Sequence, residues 1–137
     1  MKRTMFDYSE SKRYIIDKYK DDLNIKGSIL VDCQQMIESL LKWGLYKKFG
    51  SYENTHSIQR LCKDYDKDLF KSYREFCYEL TSLYYEERYD NDYYEEYEDD
   101  EYYDVINKSF RFRQDLLDRI NNSNTTSVND MKDFRHF

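Results

Sequence analysis

Apolar side chains return every three or four residues along almost the whole chain, and proline is absent throughout. That spacing keeps one face of an α-helix apolar, because a helix turns once in about 3.6 residues, whereas a strand shows period-two alternation. No segment alternates over a useful length, and without proline nothing removes a main-chain donor from a helical ladder. The chain is therefore restricted to helices, with no sheet.

Five segments carry the pattern. The first runs over about residues 6–23, through Tyr8, Lys12, Ile15, Ile16, Tyr19 and Leu23. A break follows at Asn24–Ser28, where Gly27 can supply left-handed backbone. The second helix spans about residues 29–48, with Leu30, Cys33, Ile37, Leu40, Leu41 and Leu45 as its stripe. Gly44 interrupts that helix at a cost of about 1 kcal/mol, or marks a close helix crossing. After a loop at Gly50–Asn54, Thr55 or Ser57 can cap a short third helix that turns Ile58, Leu61, Cys62 and Tyr65 inward. The fourth spans about residues 67–89 through Phe70, Tyr73, Cys77, Leu80 and Tyr84, and the last about residues 98–120 through Tyr102, Val105, Ser109, Phe112, Leu116 and Ile120. From Asn121 to Phe137 the pattern stops, and the polar run reads as a frayed tail.

Long helices joined by short loops favour an all-α, up-and-down antiparallel bundle: four long helices and one short one within residues 1–120. At 137 residues the chain holds one domain. Its 39% hydrophobic content, rich in aromatics, is enough to offset the entropy of folding and excludes disorder over the whole length. Three cysteines, Cys33, Cys62 and Cys77, form neither a disulfide framework nor a zinc pattern, and fit buried thiols in a reducing cytoplasm. No apolar run approaches the roughly 20 residues needed to cross a bilayer, and polar residues fill the place of a secretory signal's apolar region. No membrane association is expected.

Charge is distributed unevenly. Residues 86–104 hold 11 acidic residues, six tyrosines, one asparagine and a single basic residue, Arg88. This stretch carries −10, which leaves +4 on the remainder of a chain whose total is −6. A mildly basic body suits a polyanion. The acidic stretch is either a solvated loop and helix start, where carboxylates favour the helix N-terminus, or a surface for a basic protein. Solvation alone does not call for tyrosine, a residue enriched in contact surfaces. Asp90, Tyr93, Tyr94, Glu95, Glu96, Tyr97, Glu98, Asp99 and Asp100 are the partner-contact candidates of that second reading.

No glycine-rich phosphate loop is present, and His56 and His136 are too far apart to pair on one helix, so neither a metal nor a cofactor is expected. The carboxylates cluster on a surface run, the wrong setting for raised pKa values.

Four segments in order nevertheless resemble a HEPN domain. They are Cys33–Lys42, with its Gln34-Gln35…Glu38…Leu41-Lys42 spacing; Thr55-His56-Ser57-Ile58 with Leu61; Leu80 to Asp90, with Arg88-Tyr89; and the closing helix from Val105 to Ile120. The family patterns are QQxxExxLK, THxLxxL and a helix ending in RYPD. Asp90 replaces the proline, and the acidic stretch is an addition. The resemblance implies a four-helix bundle with one short extra helix, a homodimer, and one of two activities. Many such domains are metal-independent ribonucleases that use an arginine, a polar residue and a nearby histidine in a composite dimer site. Others lack that motif and bind nucleotides, RNA or a partner, often beside a nucleotidyltransferase in defence or toxin–antitoxin loci. Here no histidine follows Arg88, Arg111 or Arg113 within reach.

The ligand-binding candidates are Arg88, His56, Tyr89, Glu38 and Lys42. His56 either meets a phosphate or base or fills the loop before the third helix. Arg88 either grips a phosphate or pairs with Glu38 or the acidic run. Glu38 and Lys42 stand four apart in an order that also supports a helix without any ligand. Trp43 suits the core or a dimer contact. Three functions follow: a non-catalytic nucleotide-, RNA- or partner-binding module of a bacterial or phage defence system; an acidic nucleic-acid mimic that blocks a basic nucleic-acid-handling protein; or a ribonuclease.

Overall fold

A computed structural model describes the backbone of residues 3–89 and 97–133 and the side chains of residues 3–85 and 97–122. It contains α1 (Met5–Tyr19), α2 (Lys26–Phe49), α3 (Ile58–Tyr65), α4 (Lys67–Tyr89) and α5 (Asp99–Asp133), with a 3-10 turn at Leu23–Ile25 between α1 and α2. No strand occurs among the described residues, as the periodicity requires.

Local chemistry sets the ends. Thr4 Oγ1 accepts from the Asp7 N–H at 3.1 Å while Asp7 Oδ2 accepts from the Thr4 N–H at 3.0 Å, a reciprocal cap that starts α1. That helix stops at Tyr19, short of the expected Leu23. Asp22 captures the Asn24 N–H at 3.1 Å instead, and a short acidic side chain bonded to nearby backbone competes with the helical ladder. The break therefore comes earlier than expected, over residues 20–25, and α2 begins at Lys26. Gly27 lies inside the first turn of α2 and takes no left-handed conformation. The left-handed glycine is Gly50 (φ 80°), whose N–H reaches Tyr46 O at 2.8 Å and closes α2.

Ser57, the second of the two expected caps, accepts from the Arg60 N–H at 3.3 Å to begin α3. Asp66 Oδ1 accepts from the Leu69 N–H at 2.9 Å at the start of α4, whose bounds are those the sequence pattern predicts. The backbone of α5 continues past Ile120 to Asp133. The polar run expected as a tail contains no glycine or proline, so nothing in it interrupts a ladder already nucleated upstream.

α2 is the central element and touches α1, α3, α4 and α5. Ile29, Leu30, Cys33, Met36, Ile37 and Leu41 are all fully buried on it. Gly44 allows the crossing: a Cβ there would lie 2.9 Å from Tyr65 Cε1 and 3.1 Å from Ile120 Cδ1. Polar ties fix the neighbours. Buried Ser9 donates to Met36 O at 2.7 Å, and Lys12 meets Asp32 at 3.0 Å, joining α1 to α2. Burial pushes the Asp32 carboxyl upward although Lys12 opposes the shift. Arg113 of α5 pairs with Glu10 of α1. Tyr102, fully buried, donates to Lys20 O at 2.8 Å. Trp43 is half-buried against the core, its ring 6.1 Å from Phe6. All three cysteines are free and buried.

The acidic stretch divides among three places. Its first residues close α4 and its last open α5, where Asp99, Asp100 and Glu101 face the positive helix end. Asp90, Tyr93, Tyr94, Glu95 and Glu96 lie outside the described residues. Lys26 Nζ donates to Tyr97 O at 2.8 Å and meets Asp99 at 3.2 Å, which ties the start of α2 to the α5 entrance. Tyr97 donates to Glu79 at 3.0 Å and Tyr103 to Asp21 at 2.7 Å. No helix among the described residues is long and apolar enough to cross a membrane.

Candidate functional site

Three of the candidate residues converge. Glu38 and Lys42 lie on successive turns of α2, and His56 stands just before α3. Glu38 Oε2 accepts from Lys42 Nζ at 3.0 Å, and Glu38 Oε1 lies 3.0 Å from His56 Nδ1. Gln34, one turn earlier, donates to the same Oε1 at 2.9 Å and to His56 O at 3.2 Å. One carboxylate thus holds an ammonium, an amide and an imidazole, while the amide also grips the loop that carries the imidazole. Gln34 Oε1 is buried and makes no hydrogen bond among the described residues.

Burial is graded across the network. The Lys42 side chain is 8% exposed and Glu38 13%, whereas His56 is 44% exposed. The ion pair is the base of the site and the imidazole is its open edge. An ionised carboxylate only accepts, so the hydrogen between them sits on His56 Nδ1 and a neutral ring keeps Nε2 as its acceptor. The ring is also held flat. It stacks on Tyr84 of α4 with centroids 4.2 Å apart and planes at 24°. Lys42 Nζ additionally stands 5.5 Å from the centre of the Tyr52 ring.

Glu38, Lys42, His56 and Tyr84 line a cleft of about 280 Å³ with Met5, Tyr8, Gln35 and Ser39. Tyr8 donates to Gln35 Oε1 at 3.3 Å and fixes the α1 side of the cleft. The cleft offers an exposed imidazole edge, an amide, a hydroxyl and two tyrosine rings over an ion pair that is already neutral. Such a lining suits a flat polar group better than a bare anion. No group of three or more metal-ligating side chains occurs among the described residues.

The sequence named Glu38, Lys42 and His56 and missed Tyr84, Gln34 and Gln35 as site residues. Tyr84 reads as part of the apolar stripe of α4, and only its position four residues before Arg88 hints otherwise. Among the described residues, Lys42, His56 and Gln34 meet the Glu38 carboxylate. The side chains of Arg88 and Tyr89 lie outside the described residues.

Neither a curated protein nor a solved structure matches the chain. A family model does: the HEPN domain matches residues 27–120, from the first turn of α2 to Ile120 of α5. That span takes in the Gln34–Lys42 segment, His56 with its loop, Tyr84 and the core positions of α5. It covers well over half of the sequence, and the chain belongs to the HEPN domain family.

Proposed function

We propose that this HEPN domain is a binding module for a nucleotide or for RNA, without ribonuclease chemistry, working in a bacterial or phage defence or toxin–antitoxin system. One observation carries the reading. The residues that match the family's two short motifs, Glu38 with Lys42 and His56, meet at one cleft, where the imidazole is held by a carboxylate and stacked on Tyr84. A nucleobase fits that lining: its face lies on the aromatic side chains, and its edge meets Gln35, Ser39 or His56 Nε2. The family's arginine–histidine pairing has no counterpart after Arg88 in the sequence. In this reading the domain is an up-and-down bundle, acts in the cytoplasm as a homodimer, and accompanies a nucleotidyltransferase-type partner.

The test is equilibrium binding of fluorescent mononucleotides and short single-stranded RNA, with electrophoresis of the RNA in chelator. Binding weakened at least several-fold by Y84A and by H56A, with the RNA intact, supports the reading. Cleavage lost in H56A or R88A overturns its non-catalytic part.

A second reading is favoured by the exposed carboxylates of Glu98, Asp99 and Asp100 around the start of α5. There the acidic stretch imitates a nucleic-acid backbone toward a basic protein. It supports salt-sensitive capture of such a protein from lysate, lost when residues 90–100 are replaced by a neutral linker.

A further inference from the structure

A second cleft, of about 480 Å³, lies between α4 and α5 and shares no lining residue with the first. Its wall carries Lys71 and Arg74 from α4 and Lys108 and Arg111 from α5. Lys108 is paired with Asp104 at 2.9 Å, one turn earlier on its own helix. Lys71, Arg74 and Arg111 are exposed and form no ion pair among the described residues. Glu75 is the acidic group in the lining, so the cleft keeps a positive excess.

Tyr73 and Phe76 are the aromatic residues of the lining, and Tyr73 is anchored to the core behind it. Phe112 is fully buried, and Tyr73 stacks on it with centroids 4.5 Å apart and planes at 15°. Tyr73 donates to Asp115, which engages that carboxylate. The backbone of α4 leaves helical geometry at Tyr73 (φ −123°, ψ 21°), and this local departure stands between Lys71 and Arg74. Three cations from two helices, none in an ion pair among the described residues, therefore line one cleft. The −6 net charge of the chain does not decide the matter, because charges are screened beyond roughly 10 Å.

We propose that the α4–α5 cleft binds a run of closely spaced phosphates, with Lys71, Arg74 and Arg111 as the contacts. Arginine forks suit phosphate oxygens, and a lysine supplies a mobile point charge beside them. Neighbouring phosphates of this kind come from a nucleic-acid backbone or from a free polyphosphate.

The experiment measures anisotropy of a labelled single-stranded RNA over a salt series, with inorganic tripolyphosphate as competitor and as a separate titrant in calorimetry. The variants are R74Q/R111Q and, as a charge-matched control, K18Q/K47Q, with folding checked by circular dichroism. Three phosphate contacts give a slope of log K against log salt of about −2 for a single strand, and removing two leaves about −0.7. RNA binding with that slope, displaced by tripolyphosphate and reduced about tenfold or more at low salt in R74Q/R111Q alone, assigns the cleft to a nucleic-acid backbone. Tripolyphosphate binding without RNA binding, lost in the same variant, assigns it to free polyphosphate. Absence of both, or equal losses in the two variants, overturns the proposal. Because Y84A and H56A report on the other cleft, failure at one site is read separately from failure at the other.

Discussion

His56 Nδ1 lies 3.0 Å from Glu38 Oε1, across the gap between the loop before α3 and the middle of α2. The same carboxylate neutralises Lys42, whose side chain is 8% exposed. Removing it strands a buried ammonium, and breaking one partner of a buried pair costs about 3–5 kcal/mol. E38A is expected to lose about 3 kcal/mol, more than E38A in the background of K42M, where the orphaned charge is gone. Urea unfolding of the two variants checks this. Equal losses in both backgrounds would show that the ion pair carries no such cost.

Gly44 is expected to reject even a methyl group. Alanine improves helix propensity by about 1 kcal/mol. Against that, the new Cβ would stand 2.9 Å from Tyr65 Cε1, on a ring that is only 4% exposed. Overpacking costs about 1–3 kcal/mol, so G44A should be destabilising by about 1 kcal/mol net. Adding I120V removes the Cδ1 contact at Ile120 and should recover part of the loss. A stabilised G44A in thermal denaturation would contradict the close crossing.

Thr81 serves two helices. Its Oγ1 accepts from the Ile58 N–H at 2.9 Å and donates within 3.0 Å of Cys77 O. Valine keeps the shape but leaves the buried Ile58 donor unpaired, a loss of about 1–3 kcal/mol. T81V should therefore lower the urea midpoint with an unchanged denaturant slope, and T81S should restore most of it. A T81V midpoint equal to that of the parent protein would remove this bond from the account of α3 docking.

Alkaline pH should unfold the protein. Burial pushes the Tyr65 phenol up to about 12, and burial together with the bond to Asp115 does the same for Tyr73. Tyr102 is shifted upward as well, chiefly by burial. A phenol in the unfolded chain ionises near pH 10. The folded state therefore binds these protons more tightly, and their stabilisation is complete below about pH 10. It is lost as pH rises through about 12. Tyrosinate absorbance should rise in step with loss of helical circular dichroism. In Y65F the alkaline midpoint should move upward. Titration of these phenols without loss of helix would refute the linkage.

The thiols should stay silent until the fold opens. Burial pushes Cys33 up to about 12, and the neighbouring Cys77 together with burial raises Cys62 further. A thiol of that kind supplies almost no thiolate at neutral pH. Labelling by a disulfide reagent should follow the global unfolding rate for these positions. Fast labelling of the native protein would instead reveal local opening.

How much of this was legible depends on the signal each feature leaves. α4 is bounded as the pattern predicts because its stripe from Phe70 to Leu83 is unbroken and Asp66 stands before it. The end of α1 was not legible: Leu23 keeps the spacing, yet Asp22 bonds its own neighbourhood and takes the backbone out of the helix. The two glycines illustrate the same limit. Gly27 and Gly50 look alike in the sequence, and only the chain's need to turn after Phe49 gives Gly50 the left-handed backbone. At the site, charge and spacing pointed to Glu38, Lys42 and His56. Tyr84 was hidden because a ring that covers an imidazole has the same spacing as one that fills a core. The basic cleft was visible only as the +4 of the remaining chain, since Lys71 and Arg111 are brought together by tertiary packing.

α2 meets every other helix, whereas α1 rests on α2 and reaches α5 through side-chain bonds such as Arg113 to Glu10. The two kinds of attachment have different fates when the molecule breathes. α2 is covered from several sides at once, so its amides are expected to be the slowest in the domain to exchange their hydrogens. α1 can peel away by giving up its packing on α2 and the Arg113–Glu10 pair, and it takes the Tyr8 wall of the first cleft with it. Entry to that cleft is thereby coupled to the docking of α1, and an occupant that bridges Tyr8 and His56 would slow exchange in α1 first.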